Sequence, residues 1–240
     1  MQATKNPAKA TRASRLVDDL REAILSGDLR PGAKLNLDRM RESHHVSLSP
    51  LREALARLTS TGLVQFEDQR GYRTTEVSAA NLAEITRLRS ETESLAAGIA
   101  AQTAGLDWEA AVMAALHRLN RADPTRLASW QGAHTDFHQT LVDGAGLPIL
   151  SEFCRMLLTL GERYRRLCGD TAPHDMVAQY AAIAEAAAVR RDADRARQLL
   201  RDQINHDGAL LMRRFQTYTP KRTPSRSSAP DRPTNPEEPK

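Results

Sequence analysis

Cysteine and aromatic side chains are scarce in this chain. Two cysteines occur, Cys154 and Cys168, fourteen positions apart and in no C-x-x-C pair. That spacing excludes a disulfide-stapled scaffold and a cysteine-based zinc module. No run approaches the 18 or more apolar residues of a membrane-spanning helix. The basic start MQATKNPAKATRASR has no apolar stretch or small-residue cleavage site to mark it for secretion. We therefore expect a cytoplasmic protein with no membrane partner. Aromatics amount to only 4% and no internal repeat is visible, yet 40% hydrophobic residues are too many for a wholly disordered chain.

What is present is unevenly spread. Residues 1–75 hold 13 Lys/Arg against 9 Asp/Glu, a balance of +4; residues 76–215 hold 16 against 18, a balance of −2. A basic first module on a near-neutral body suits a polyanion-binding piece attached to something else. Six of the twelve prolines fall in the last 21 residues, among Ser, Thr and charge. Such a segment cannot bury enough to offset its ordering entropy, so 218–240 reads as a disordered Pro-rich tail and 1–10 as a disordered basic arm.

The ordered part divides near residues 76–78. Leu16, Leu20 and Ile24 recur every four residues, predicting a helix over 12–26 that Gly27 stops. A Pro31-Gly32 turn leads to a short helix over 37–44. A third helix begins with Ser49 as N-cap and Pro50 at its first position, and runs through Leu51, Leu55 and Leu58 to Gly62. LVQF and YRTTEV then flank EDQRG, a hairpin with its turn at Gly71. From Ser78 onward the pattern is helical and Ala/Leu-rich. Helices are expected from the Ser78 cap to Thr103, from the Asp107 cap to Pro124, and over 126–143, 149–168, 174–190 and 193–216. The fold class is thus mainly α: an N-terminal winged helix-turn-helix domain over 11–76 and a C-terminal all-α helical bundle over 78–216.

Three short helices and a hairpin have a specific use. A winged helix-turn-helix puts the N-terminal turn of one helix into the major groove of DNA. In VSLSPLREALARL, Ser47 and Ser49 supply small hydroxyls where the helix nears the DNA backbone, and Arg52 lies on the outward face. Arg57, further along, reaches for a phosphate, and Arg70–Gly71 sets a cation on the wing. The partner expected is double-stranded operator DNA. One module reads only a short half-site, so we expect a homodimer on an inverted repeat.

SPLREALARLTSTGLV followed by RGYR resembles the GntR family of bacterial transcription regulators. LRSETESLAAGIAA through DFHQTLVDGAG is similar to the ligand-binding domain of its FadR branch, the FCD type. The resemblance implies a regulator, not an enzyme, with DNA contacts at Ser47, Ser49, Arg52, Arg70 and Gly71. It also departs from the family pattern: Leu48 stands where an Arg is common, and Asp38 where another is frequent.

The resemblance further implies a small carboxylate effector in the bundle. The family's effector-contacting arginine falls at Arg89, which is also i,i+4 to Glu93. Tyr164 and Arg165 lie on a facing helix, and a guanidinium fork suits a carboxylate. His134 and His138 stand one helical turn apart, ligand spacing for a divalent metal such as Zn²⁺ or Ni²⁺. The family's metal site adds two more histidines; Tyr180 and Gln203 take those positions here, with His206 and His174 near enough to substitute. Two alternatives stay open: a metal-dependent enzyme housed in the bundle, and an architectural DNA-binding protein without effector. Against the first, His134-Thr135-Asp136-Phe137-His138 lacks the glutamate of H-E-x-x-H.

Overall fold

The computed structural model describes residues 12–123, 126–169 and 176–219; the expected arm and nearly all of the tail, with Pro124 and His174, lie outside them. Helices α1 (Arg12–Leu25), α2 (Leu37–His44) and α3 (Leu48–Ser60) precede an antiparallel hairpin of β1 (Val64–Glu67) and β2 (Gly71–Thr74). The four-residue spacing of Leu16, Leu20 and Ile24 puts all three on one face of α1. They are buried there with Leu51, Leu55 and Leu58 of α3, and Leu63 and Val64 close the core. A single bridge from Lys34 to Arg73 ties the chain before α2 to the hairpin. This is the winged helix-turn-helix expected.

Helices α4 (Ala79–Thr103), α5 (Leu106–Arg121), α6 (Leu127–Asp143), α7 (Pro148–Leu167), α8 (Val177–Ala184) and α9 (Ala193–Phe215) form the bundle. Ser78 caps α4 by accepting from the Asn81 N–H. The shortage of aromatics is met by close backbone approach. Where Gly208 of α9 meets α4, a Cβ would lie 2.3 Å from the Thr86 side chain, so only glycine fits. Alanines fill much of the core, with Phe137, Trp130 and Tyr180 as its large members.

Three boundaries differ from the sequence expectation. Ser47, not Ser49, is the N-cap of α3, which leaves Pro50 in the first turn; every N–H there lacks an intrahelical acceptor, so proline is tolerated. Gly105, not Asp107, caps α5, and Asp107 lies in its first turn, where its charge suits the helix dipole. The helix expected over 174–190 breaks after Ala184 into a π-helical turn, Glu185–Val189, closed by Arg190 N–H donating to the Glu185 carbonyl at 2.8 Å.

Candidate functional site

The N-terminal turn of α3 is open. Ser47 makes no side-chain cap bond, so the first N–H groups of α3 receive no capping acceptor from it. Ser47, Ser49 and Arg52 are all exposed. Arg52 shares a shallow hollow with Leu37, Phe66, Gln69, Gly71 and Tyr72, so recognition helix and wing present one face. Positive φ at Gln69 (+59°) and Gly71 (+80°) turns the wing tip. Arg70 projects from it, 3.4 Å from Glu67, and the exposed Phe66 ring packs 5.0 Å from Tyr72. Glu53 pairs with Arg57 at 2.6 Å rather than with Arg52, which forms no ion pair among the described residues. Free helical N–H groups, an unengaged arginine and a wing cation on one face match what a DNA backbone and groove demand.

A second polar group lies inside the bundle. Arg89 and Glu93 of α4, Gln131, His134 and His138 of α6, Arg165 of α7, and Gln203 and Asp207 of α9 are all buried, as is Tyr180 of α8. Glu93 is the hub. Arg89 donates to it from Nε at 2.6 Å, and the Nδ1–H of His138 donates at 2.7 Å. Burial pushes the Glu93 carboxyl up, but Arg89 and His138 together outweigh it and hold it below the ordinary range. Arg165 pairs with Asp207 and lies 5.4 Å from the centre of the Trp130 ring. The Tyr180 hydroxyl accepts from Gln203 Nε2 at 3.3 Å, and burial raises its pKa.

His134 stacks on Trp130 at 5.0 Å and tilts against His138 at 4.4 Å, centroid to centroid. Burial, then the charges of His138, Arg165 and Arg89, push its pKa well below the usual value, so it is neutral at pH 7. Both its nitrogens lack a hydrogen-bond partner, and so do His138 Nε2, Gln131 Oε1 and Gln203 Oε1. Buried polar atoms are normally satisfied. Five that are not, on facing helices, can receive a small polar ligand.

Two domain models match the chain. Residues 12–73 match the bacterial regulatory proteins of the gntR family, and residues 84–206, just over half the chain, match the FCD domain. The chain belongs to the GntR family. This GntR regulator is 33% identical over 199 residues to BphR of Paraburkholderia xenovorans LB400, named an uncharacterized HTH-type transcriptional regulator; the match covers 77% of this chain and 79% of that one. It is 30% identical over 196 residues to the HTH-type transcriptional repressor GlaR of Escherichia coli K12, covering 77% and 89%. In fold it is similar to E. coli McbR/YncC, with a TM-score of 0.71 and 23% identity over 86% of this chain and all of that one. No helix among the described residues is long and apolar enough to cross a membrane.

The regulator brings Arg89, His134, His138 and Arg165 together as the sequence suggested, and adds Tyr180 and Gln203. Tyr164 does not join them. Neighbouring residues on a helix point about 100° apart, and the Tyr164 hydroxyl is taken by Ser78 and by Asn81 Oδ1 at 2.9 Å. Nor are the two arginines unpaired charges awaiting a ligand: Glu93 and Asp207 neutralise them. Asp207 was missed because nothing near it in sequence marks it; it is 42 positions from Arg165.

Among the described residues the donor set does not fit a resident zinc or nickel. Three or four ligands are needed, and among the described residues the cluster holds only two imidazoles. A phenol that burial keeps protonated and a carboxamide stand where the family has histidines. His206 is exposed on α9, and no group of three or more His, Cys, Asp or Glu among the described residues is placed to hold a metal.

Proposed function

We propose that this GntR regulator binds operator DNA as a homodimer and that a small organic carboxylate, held in the buried polar cluster, modulates that binding. The unsatisfied ring nitrogens of His134 and His138 carry the carboxylate reading, and the carboxamide oxygens of Gln131 and Gln203, which can only accept, suit a hydroxyl on the same ligand. Neutral His134 keeps one ring N–H free to donate, which suits a carboxylate oxygen. A thermal-shift screen of C3–C6 carboxylates tests it. A ligand at tenfold its Kd should add about 1.4 kcal/mol of stability, a Tm rise of roughly 3–6 °C. His134→Phe keeps the stack on Trp130 and should abolish the rise. A screen with no hit sinks the carboxylate reading; an unchanged response in His134→Phe moves the ligand elsewhere.

The FadR-branch placement and the division near 76–78 rest on the two domain matches, 12–73 and 84–206. We assign no catalytic role: the relatives are named as regulators, and the H-x3-H pair lacks the glutamate of a metalloprotease helix. For the homodimer, the support is an apolar stripe on two adjacent helices. Leu88, Leu95 and Ile99 lie along one face of α4, and Ile149, Phe153 and Met156 along one face of α7. Leu95 is 48% exposed and Ile149 90%. Exposed and half-buried apolar side chains in rows on packed helices fit a second copy. Light scattering should give twice the 26.6 kDa of one chain, and Ile149→Glu should halve it. A single-chain mass for the wild type at micromolar concentration counts against the dimer.

A further inference from the structure

Helix α7 presents one face to the reading head, and that face has a charge at its centre. Leu160 packs on Gly62 and Leu167 on Gly27, where a Cβ would sit 2.8 Å from the leucine. Both glycines have positive φ, so neither position takes a side chain without strain. On the flank, Arg166 pairs with Glu22 of α1, its Nη1 donating at 2.9 Å, while Glu162 stands 3.6 Å behind it. Arg21 donates to Thr159 Oγ1 at 3.1 Å.

On the helical wheel, residues 159 and 166 lie on one side of residue 163, and 160 and 167 on the other. Arg163 therefore stems from the centre of the face that α7 turns to the head, with Tyr164 and Tyr218 as its neighbouring polar groups. It is 1% exposed, and neither Nε nor Nη2 has a hydrogen-bond partner. It forms no ion pair among the described residues. Burial lowers its pKa to about 10, with only the Tyr164 and Tyr218 hydroxyls acting to raise it. An unpaired guanidinium inside a closed seam opposes closure, because water would solvate it better than the seam does.

We propose that the seam between reading head and bundle is a two-state joint, which the Glu22–Arg166 clasp and the two leucine–glycine contacts close and the buried charge of Arg163 works to open. Parting the seam hydrates Arg163 and frees the head to turn; closing it fixes the angle at which α3 is presented. The two tendencies oppose each other across one helical turn of α7. Arg165, on the same turn, reaches into the polar cluster, so a ligand there would act on the joint through α7. That last step alone rests on the ligand reading, and the test below uses no ligand.

The test is hydrogen–deuterium exchange over residues 21–27 and 159–167 of the full chain, with thermal melting beside it. Arg163→Met keeps the aliphatic stem and removes the charge. It should slow exchange of both segments at least about threefold and raise Tm by about 2–4 °C. Arg163→Lys keeps the charge and should give neither gain. Glu22→Gln and Arg166→Gln loosen the clasp and should each speed exchange of the same segments. The joint is overturned if Arg163→Met melts lower, exchanges faster or does not fold. It is overturned equally if Arg163→Lys matches the methionine variant, or if Glu22→Gln leaves exchange unchanged.

Discussion

Replacing Glu93 by alanine should cost the bundle about 3–5 kcal/mol, the effect of removing one partner from a buried ion pair. Glu93 is wholly buried and accepts from both Arg89 and His138. Its loss strands a guanidinium, 7% exposed, in an apolar bundle with no other acidic partner among the described residues. At about 2–4 °C per kcal/mol for a chain of this size, the melting temperature should fall by roughly 6–20 °C. Glu93→Gln keeps an acceptor oxygen and should fall between. The pH dependence has a fixed sign. The folded carboxyl has a lowered pKa, so its contribution is present above the unfolded carboxylate range and is lost as pH falls through the folded value. Glu93→Ala should therefore flatten the acid limb of the stability curve as well as lower it. A variant that unfolds at the wild-type urea midpoint would mean that Arg89 and His138 find other partners, and the hub assignment fails.

Arg52→Ala should weaken specific operator binding by about 1–3 kcal/mol and flatten discrimination between bases at one position. Among the described residues Arg52 forms no ion pair, and it stands where the first turn of α3 meets the wing. A guanidinium so placed loses no intramolecular partner when it meets a base edge. Arg57 makes the contrast. It is held by Glu53 at 2.6 Å, so it must leave or share that carboxylate to reach a phosphate. Arg57→Ala should weaken specific and non-specific DNA alike and reduce the salt slope by about one. Fluorescence anisotropy on operator and scrambled DNA at two salt concentrations separates the two. If Arg52→Ala loses equally on both DNAs, Arg52 touches phosphate and the base-reading role belongs elsewhere on α3.

The reading head was legible because its signals are local. The leucine spacing of α1, the Gly71 turn and the outward phase of Arg52 are each set within a few residues. The bundle's helices were equally plain, except where the alanine run at 186–188 hides a change of helix type: alanine suits either form and carries no phase. The polar cluster was half legible. The Arg89–Glu93 and His134–His138 spacings are intrahelical and could be read directly. Tyr164 against Arg165 turned on which of two adjacent residues faces inward, which the neighbouring helices decide. The Arg165–Asp207 pair and the seam around Arg163 depend on which helices meet, and no short stretch of sequence carries that.

The π-turn at Glu185–Val189 gives the cluster one place where a change of chain length is absorbed. Each residue added to or removed from a helix rotates what lies beyond it by about 100°, and a π-turn accommodates one residue more than the α-turn it replaces. Tyr180 lies just upstream, on α8, and its partner Gln203 lies downstream, on α9. Deleting one alanine from 186–188 would let the turn close as α and leave the Tyr180 ring facing Gln203 and the two imidazoles, because the π-turn is what takes up that residue. Exchanging those alanines for other small residues would leave the ring where it is. The position of a phenol is thus protected against the loss of one featureless residue in that run, whereas a deletion inside α8 or α9 would turn what lies beyond it by about 100°.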